Sequence, residues 1–202
     1  MPPPGSLVRA RGGACTLPGV KLELDLDSAC LVLLGEDGEA RWSVHLGASA
    51  FDGACFREAL LWRTGGMACV GAGEHVWLFD LASGVLCLHL DIARSGCSLF
   101  GHFGHATLGD GTELLLVLTY TDVIAIDASR SIRWTARDVA IDGITGADGC
   151  RDGDRLVVHA ERDPPGGWFE VTLDARTGRE LACTPSFSPG YVGRYGAGPA
   201  ET

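Results

Sequence analysis

The sequence contains one closely spaced pair of histidines, His102 and His105 in the string His-Phe-Gly-His, with Cys97 shortly before it. Imidazole and thiolate are the ligands that Zn²⁺ prefers in proteins. The spacing does not suit a shared ion, because residues three positions apart on a strand point to opposite faces, and no fourth ligand is evident nearby. We therefore predict no metal site and interpret both histidines either as lining a binding pocket or as having a structural role only.

Three carboxylates lie close together in the string Asp148-Gly-Cys-Arg-Asp152-Gly-Asp154. Oxygen-rich loops of this kind can hold Ca²⁺. The string lacks the regular alternate-position ligands and the later bidentate glutamate of an EF-hand loop. It therefore favours a solvated hairpin turn.

The most distinctive local string is Asp163-Pro-Pro-Gly-Gly-Trp168. Proline fixes φ and removes a backbone donor, whereas glycine allows the chain to reverse, so the string predicts a rigid hairpin loop. Trp168 then either covers the core at the base of the loop or, with Asp163, forms a recognition loop. The second interpretation rests on the large share of interface binding energy that tryptophan carries.

Motifs of the common enzyme classes are missing. The chain has no Gly-x-Ser-x-Gly elbow, Walker loop, Gly-x-Gly-x-x-Gly fingerprint, His-Glu-x-x-His or Cys-x-x-Cys. Acidic residues are plentiful, but no spacing pairs two of them for general acid–base catalysis. We assign no catalytic residue and predict no cofactor, which weakens the hypothesis of an enzyme without eliminating it.

The elements that must position these residues come from an internal repeat. Four segments each contain an apolar run, a tight polar turn and a second run, at Leu31–Trp42, Trp77–Cys87, Ile124–Trp134 and Val171–Leu181. The spacing is regular, at 45, 47 and 47 residues between the turn residues Gly35, Asp80, Asp127 and Asp174. Aspartate at a strand end accepts backbone N–H bonds across the turn, and a following glycine takes a positive φ. Each segment is therefore predicted to be a β-hairpin.

Two further strands are predicted before each hairpin. The nearer strand is expected at Lys21–Asp27, Gly66–Val70, Glu113–Tyr120 and Arg155–Ala160. The innermost strand is expected at Ser6–Arg9, Asp52–Phe56, Ser95–Phe100 and Asp142–Thr145. Leu114–Leu118 is continuously apolar, which predicts burial on both faces. Four strands in about 45 residues, repeated in series, predict an all-β protein of four tandem four-stranded antiparallel blade-like repeats, a small or partial β-propeller.

The register gives a single repeat-built β domain over residues 1–185, with units at about 6–47, 48–92, 93–138 and 139–185. A Gly/Pro-rich tail over 186–202 is expected to be partly disordered or to add a closing strand. Four blades close a ring only with unusually tight curvature. An open half-ring that dimerises is therefore an alternative, because association would cover an exposed sheet edge.

The hairpins Val76–Gly84 and Val171–Gly178 resemble the outer hairpin of the PQQ-like (quinoprotein-type) propeller repeat, which is related in shape to WD40 blades. The family pattern has an aspartate, a Thr-Gly turn and then a tryptophan that docks between blades. Trp42 and Trp134 match the tryptophan position, whereas the other two repeats have cysteine and leucine there. The resemblance implies the propeller fold for about residues 20–183.

The same short motif occurs in non-enzymatic propellers, so we interpret the chain as a non-enzymatic or degenerate member. Enzymes of the family that bind the quinone have larger rings of blades, and no cofactor residue is carried over. In a propeller the inner strands line a channel. The predicted inner strands would place Asp52, His102, His105 and Asp142 around its mouth as binding candidates.

The formal net charge of −10 limits the classes of partner that the chain is expected to bind. Nucleic acids and anionic membranes need a basic face, so neither is predicted as a partner, whereas a basic protein is compatible. Many of the acids also stand in turn contexts such as Asp37-Gly38 and Asp110-Gly111, where aspartate mimics a backbone turn. The N-terminus lacks the apolar stretch of a signal peptide, and no run of apolar residues is long enough for a membrane span. The expected location is the cytoplasm, with cysteines such as Cys30 and Cys69 as small buried hydrophobes.

Three functions remain open on these observations. The first is a protein-interaction module of propeller type, in its most specific form an inhibitor or immunity-type protein for a basic partner. The second is a small-molecule or sugar-binding enzyme that uses the channel. The third is a structural half-propeller that forms a homodimer.

Overall fold

A computed structural model describes residues 8–10, 13–25, 28–47, 51, 54–151 and 154–186. This part of the chain forms β-strands and no α-helix, and hence no helix that could cross a membrane. The strands are β1 Val8–Ala10, β2 Gly13–Leu17, β3 Val20–Asp25, β4 Cys30–Gly35, β5 Ala40–His45, β6 Arg57–Trp62, β7 Met67–Ala72, β8 His75–Asp80, β9 Leu86–Asp91, β10 Phe100–Thr107, β11 Glu113–Thr119, β12 Val123–Asp127, β13 Ile132–Ala136, β14 Ile144–Arg151, β15 Arg155–Asp163, β16 Gly167–Asp174 and β17 Glu180–Pro185.

Strands that follow one another in the chain are neighbours in the sheets. The four sheet orders are β2-β3-β4-β5, β1-β6-β7-β8-β9, β10-β11-β12-β13 and β14-β15-β16-β17. Each repeat thus supplies one four-stranded antiparallel sheet, and the second sheet has β1 as an additional strand. The prediction of an all-β chain of four blade-like repeats is confirmed.

The outer hairpins turn by the predicted mechanism. Asp80 Oδ1 accepts hydrogen bonds from the backbone N–H groups of Ala82 and Ser83, at 3.2 and 2.9 Å. Gly84 follows with a φ of 70°. In the fourth repeat, Asp174 takes the same role and Gly178 has a φ of 74°. These turns are set by local residues, which explains why the repeat is visible in the sequence.

The chain divides into two compact units, the first of Met1–Phe103 with Asp127–Ser131 and the second of Gly104–Ile126 with Ile132–Thr202. The core of the first unit contains alternate residues of the first sheet, such as Leu22 and Leu24, whose neighbours Lys21 and Glu23 are less buried. The second sheet contributes Ala59, Leu61, Ala68, Val70, Trp77 and Phe79.

The second unit has its own core, to which β11 and β15 contribute most densely. Leu114, Leu116 and Leu118 pack into it with Leu156 and Val158. All residues from Leu114 to Leu118 are at most 1% exposed, so the prediction of a strand buried on both faces is confirmed.

A tryptophan fastens one sheet to the next in each unit. Trp42 of β5 donates its indole N–H to Leu81 O at 3.0 Å, and Trp134 of β13 donates to Ala175 O at 2.8 Å. A Cβ at Gly84 would meet the Trp42 ring at 2.7 Å. The docking that the resemblance implied is therefore present at both matched positions, and the glycine of the turn makes room for the indole.

The innermost strands begin later than predicted. The expected strands at 52–56, 95–100 and 142–145 are instead β6, β10 and β14, whose first residues lie five, five and two positions further along the chain. In the third and fourth repeats, the signals Ser95-Gly96 and Asp142-Gly143 that located these strands lie before the strand begins. The strand β10 itself was obscured because its glycines and histidines interrupt the apolar pattern that identifies a strand.

The N-terminal strand was assigned to the wrong sheet. Val8–Ala10 pairs antiparallel with β6 of the second sheet, with Val8 opposite Leu61. The innermost strand of the first sheet is Gly13–Leu17, which pairs with β3. Sequence order alone suggested that Ser6–Arg9 joins the first repeat, whereas strand pairing over a longer loop decides otherwise.

Candidate functional site

The predicted loop residues Asp163 and Trp168 flank the turn between β15 and β16, at the end of β15 and the start of β16. Asp163 is exposed, and Trp168 is half-buried at the start of β16. The carboxylate of Glu161 accepts a hydrogen bond from the N–H of Gly166 inside the turn. A Cβ at Gly167 would overlap the backbone of Asp163, so this position requires glycine. The loop is thus tightly folded, with an exposed acid at its first end and a half-buried tryptophan at its second.

Arg162 fixes the base of this loop. Its guanidinium Nη2 lies 2.6 Å from Glu180 Oε2 of β17, and its Nε donates to Val139 O at 2.8 Å. The hydrogen bond to Glu180 raises the pKa of Arg162. The N–H of Ser186 donates to Trp168 O at 2.6 Å. These contacts tie the backbone on both sides of the loop to β17, to Val139 and to Ser186.

His102 lies at a separate cavity of about 180 Å³, lined also by Cys55, Phe56, Arg57 and Glu58. The His102 and Phe56 rings meet edge to face with centroids 4.7 Å apart. Glu58 is 2% exposed, and its Oε2 accepts a hydrogen bond from Phe103 N at 2.8 Å. An imidazole, a carboxylate and a guanidinium therefore surround one small space.

Arg57 and Glu58 were not among the residues predicted from the sequence. Both stand at the start of the apolar run Arg57-Glu-Ala-Leu-Leu-Trp62, which is β6. A charged pair that opens a buried strand is a usable signal, because a buried carboxylate must be hydrogen-bonded or paired. A correct prediction of β6 would have identified both residues as candidate site residues.

The other predicted channel residues occupy different surroundings. His105 Nε2 lies 3.4 Å from Glu113 Oε2 across the β10–β11 pair. Asp142 is exposed in the turn before β14, where its backbone N–H donates to Glu161 O at 3.2 Å. Asp52 lies outside the described residues. His105 and Asp142 thus each have partners of their own and are not brought together.

The acidic string that ends in Asp154 is used for structure. Asp154 Oδ2 lies 2.6 Å from Arg176 Nε, and Asp110 Oδ2 lies 2.9 Å from Arg176 Nη1. Hydrogen bonds from Thr112 and then from Arg176 lower the pKa of Asp110 to about 2. Within the described ranges, no group of three or more histidine, cysteine, aspartate or glutamate side chains is arranged to hold a metal ion.

Solved structures with this geometry define the class of fold. The chain matches hydrazine synthase of Kuenenia stuttgartiensis with a TM-score of 0.59 and 11% identity, over 84% of this chain and 46% of that chain. It matches quinohemoprotein alcohol dehydrogenase from Comamonas testosteroni with a TM-score of 0.58 and 15% identity, over 90% and 37%. A third match is BBS1N in complex with ARL6DN, with a TM-score of 0.51 and 11% identity, over 83% and 55%.

The chain therefore has a β-propeller-type fold of blade-like repeats. It spans between 37% and 55% of the length of these three structures. No family model matches the sequence, and no curated protein sequence matches it. At identities this low the likeness concerns the fold alone, so function has to be argued from the side chains.

Proposed function

We propose that the chain is a protein-interaction module of propeller type that binds a basic protein partner through the β15–β16 loop. The observation that carries this proposal is the tightly folded β15–β16 turn, which is flanked by the exposed Asp163 and the half-buried Trp168. A rigid loop loses little conformational entropy on binding. A fixed tryptophan with exposed area is the kind of residue that supplies most of the affinity at interfaces.

The charge supports a basic partner. The formal net charge of −10 attracts cationic proteins during diffusion and repels acidic ones. One structural neighbour, BBS1N, was solved in complex with a protein partner, so this fold can serve protein binding. An inhibitor or immunity-type protein for a basic enzyme is the most specific form of the proposal.

The test compares capture by the full chain with capture by single variants. Trp168→Ala should reduce the recovery of a basic partner by at least about 30-fold, the effect expected of a hot-spot residue. Asp163→Asn should reduce it less and should weaken its salt dependence. Glu36→Gln is the matched charge control, because Glu36 is an exposed acid on another hairpin.

Trp168→Phe controls for folding, and thermal melting of every variant is measured in parallel. Equal capture by Trp168→Ala and the unchanged chain would remove the loop from the interaction. Partners that are all neutral or acidic, or a complex insensitive to salt, would contradict the electrostatic part.

A small-molecule-binding enzyme is the second candidate. The cavity that His102 and the buried Glu58 line together favours it. Asp52 remains a proposed further member of this site, whereas His105 and Asp142 lie in the other surroundings described above. Calorimetric titration with a panel of monosaccharides should then show binding that His102→Ala abolishes and His159→Ala leaves intact. Absence of binding by every sugar, or binding that both variants retain, would reject this candidate.

A structural homodimer is the third candidate, favoured by β17, which is exposed along its whole length. Leu181 on this strand is 41% exposed although it occupies the docking position of the repeat. Light scattering after gel filtration should show a dimer that Leu181→Asp dissociates. A monomer at all concentrations would reject this candidate without affecting the loop proposal.

A further inference from the structure

Two histidines face each other on the outer strands of the second sheet. His75 lies on β8 and His89 on β9. Nδ1 of His75 is 3.3 Å from Nε2 of His89, and the ring centroids are 5.1 Å apart. Neither residue was singled out from the sequence, because they are fourteen positions apart and only the hairpin brings them together.

The strand register fixes this pair. Trp77 lies directly opposite His89, and His75 lies directly opposite Asp91, so the four side chains share one face of the hairpin. The His89 ring is parallel to Trp77, with an interplanar angle of 1° and a centroid distance of 5.5 Å. Phe51 stacks on Trp77 at 6.3 Å. Trp77 is 7% exposed and therefore acts as an immobile platform for His89.

We propose that His75 Nδ1 and His89 Nε2 bind one Zn²⁺ ion, with water completing its coordination. Two nitrogens bound tetrahedrally at the usual zinc distance are about 3.3 Å apart. The observed separation of 3.3 Å therefore fits a shared ion after small ring rotations. His89 is exposed, so the ion has access from solvent and keeps its water ligands.

An acidic residue lies next to the pair on the same face of the hairpin, directly opposite His75. Asp91 Oδ1 accepts a hydrogen bond from Arg94 N at 2.8 Å, which holds a negative charge near the pair.

With two protein ligands, the site is expected to be an exchangeable one. The experiment is calorimetric titration of the full chain with Zn²⁺ after removal of metals by a chelator. Cys55 and Cys183 are exposed thiols that also bind zinc, so the titrations use the Cys55→Ser, Cys183→Ser double variant as background. One equivalent of Zn²⁺ should bind and should raise the melting temperature, because the ion binds the folded state.

His75→Ala and His89→Ala should each weaken binding by at least about tenfold, because each removes one of the two protein ligands. His45→Ala is the control, because His45 is an exposed histidine on β5 of another sheet. Mg²⁺ should not bind, since it prefers oxygen ligands. If a histidine-to-alanine variant melts early, His89→Gln replaces it, because His89 is exposed and its ring does not fill the core.

Failure of the background variant to bind Zn²⁺ would overturn the proposal. Binding that persists equally in His75→Ala and His89→Ala, or that is lost equally in His45→Ala, would also overturn it. In these cases the two imidazoles form only a hydrogen bond.

Discussion

The first and third repeats differ from the second and fourth at one position of the outer hairpin. The first and third have Trp42 and Trp134, each hydrogen-bonded to the hairpin of the following sheet. The second has the half-buried Cys87, and the fourth has Leu181, which is 41% exposed. Tryptophan is thus present where a following sheet of the same unit offers a glycine turn to receive it. The sheets are fastened in pairs, one pair in each unit.

The two docking contacts are not equally buried. Trp134 is 7% exposed and donates its hydrogen bond over 2.8 Å. Trp42 is half-buried and donates over 3.0 Å. The same arrangement should therefore contribute more to the stability of the second unit than to that of the first.

Removal of a docked indole should give the largest loss of stability. Trp134→Ala should lower the free energy of unfolding by about 3–5 kcal/mol, the range for truncation of a buried aromatic residue. Trp42→Ala should cost about half as much, because less apolar area is withdrawn from water there. Urea denaturation measures both. Ile132→Ala, at an exposed position of β13, is the control, and a larger loss for Trp42→Ala than for Trp134→Ala would contradict the comparison.

Substitution of Gly84 or Gly178, the turn glycines against which the two indoles pack, should give the next largest loss of stability. Alanine at Gly84 or Gly178 would be strained by a positive φ of 70° or 74° and would also overlap the docked indole. Gly38 has a φ of 80° but no atom near an added Cβ, so Gly38→Ala isolates the strain, about 1–2 kcal/mol. Gly84→Ala and Gly178→Ala should each lower the free energy of unfolding by about 1–3 kcal/mol more than Gly38→Ala does, because the added Cβ also overpacks against the indole.

The same denaturation experiment separates the two contributions. If Gly38→Ala destabilised the chain as much as Gly84→Ala and Gly178→Ala, the glycines would serve the turns alone. The docked tryptophan would then impose no requirement on the residue beneath it.

Removal of the ion pairs at the turns should change the free energy of unfolding least, and mainly at acidic pH. Arg176 contacts two carboxylates, Asp110 and Asp154, whereas Arg130 contacts only Asp80, at 3.1 Å, among the described ion pairs. The pKa of Asp110 is lowered from 3.8 to about 2. A lowered pKa in the folded state contributes stability above pH 3.8 and loses it as the pH falls towards 2.

Asp110→Asn should therefore flatten the loss of stability in this pH window, and added salt should diminish the difference. Asp80→Asn should act in the same direction, since hydrogen bonds from Ser83 lower the pKa of Asp80. Unfolding curves recorded across that window measure both variants. If Asp110→Asn left the loss of stability at acidic pH unchanged, the ion pair would not contribute to the free energy of folding.

Local signals predicted the hairpins and the second strand of each repeat well. The aspartate and glycine of a turn act within a few residues, so Asp80 with Gly84 and Asp174 with Gly178 could be identified from their order in the sequence. The innermost strands were misplaced because β10 lacks an apolar alternation. The pairing of β1 with β6 depends on contacts between distant residues, for which the sequence has no local signal.

The candidate sites were predicted less completely than the fold. The loop with Asp163 and Trp168 was identified because proline and glycine restrict the backbone locally. Glu58 at the His102 cavity was missed, since its place depends on the pairing of β6 and on Phe103 as a hydrogen-bond donor. The pairing of His75 with His89 likewise needs the register of a hairpin with a bulge.

The sequence by itself determined the repeat, the turns and the tryptophans that fasten the sheets, because each depends on residues within one hairpin or on a spacing that recurs. Tertiary structure alone decided which side chains meet across strands, as for His102 with Glu58 and His75 with His89. The physical reason is that a strand's partners and register are fixed by side-chain burial over the whole sheet, and a shift of one residue would turn every side chain to the other face.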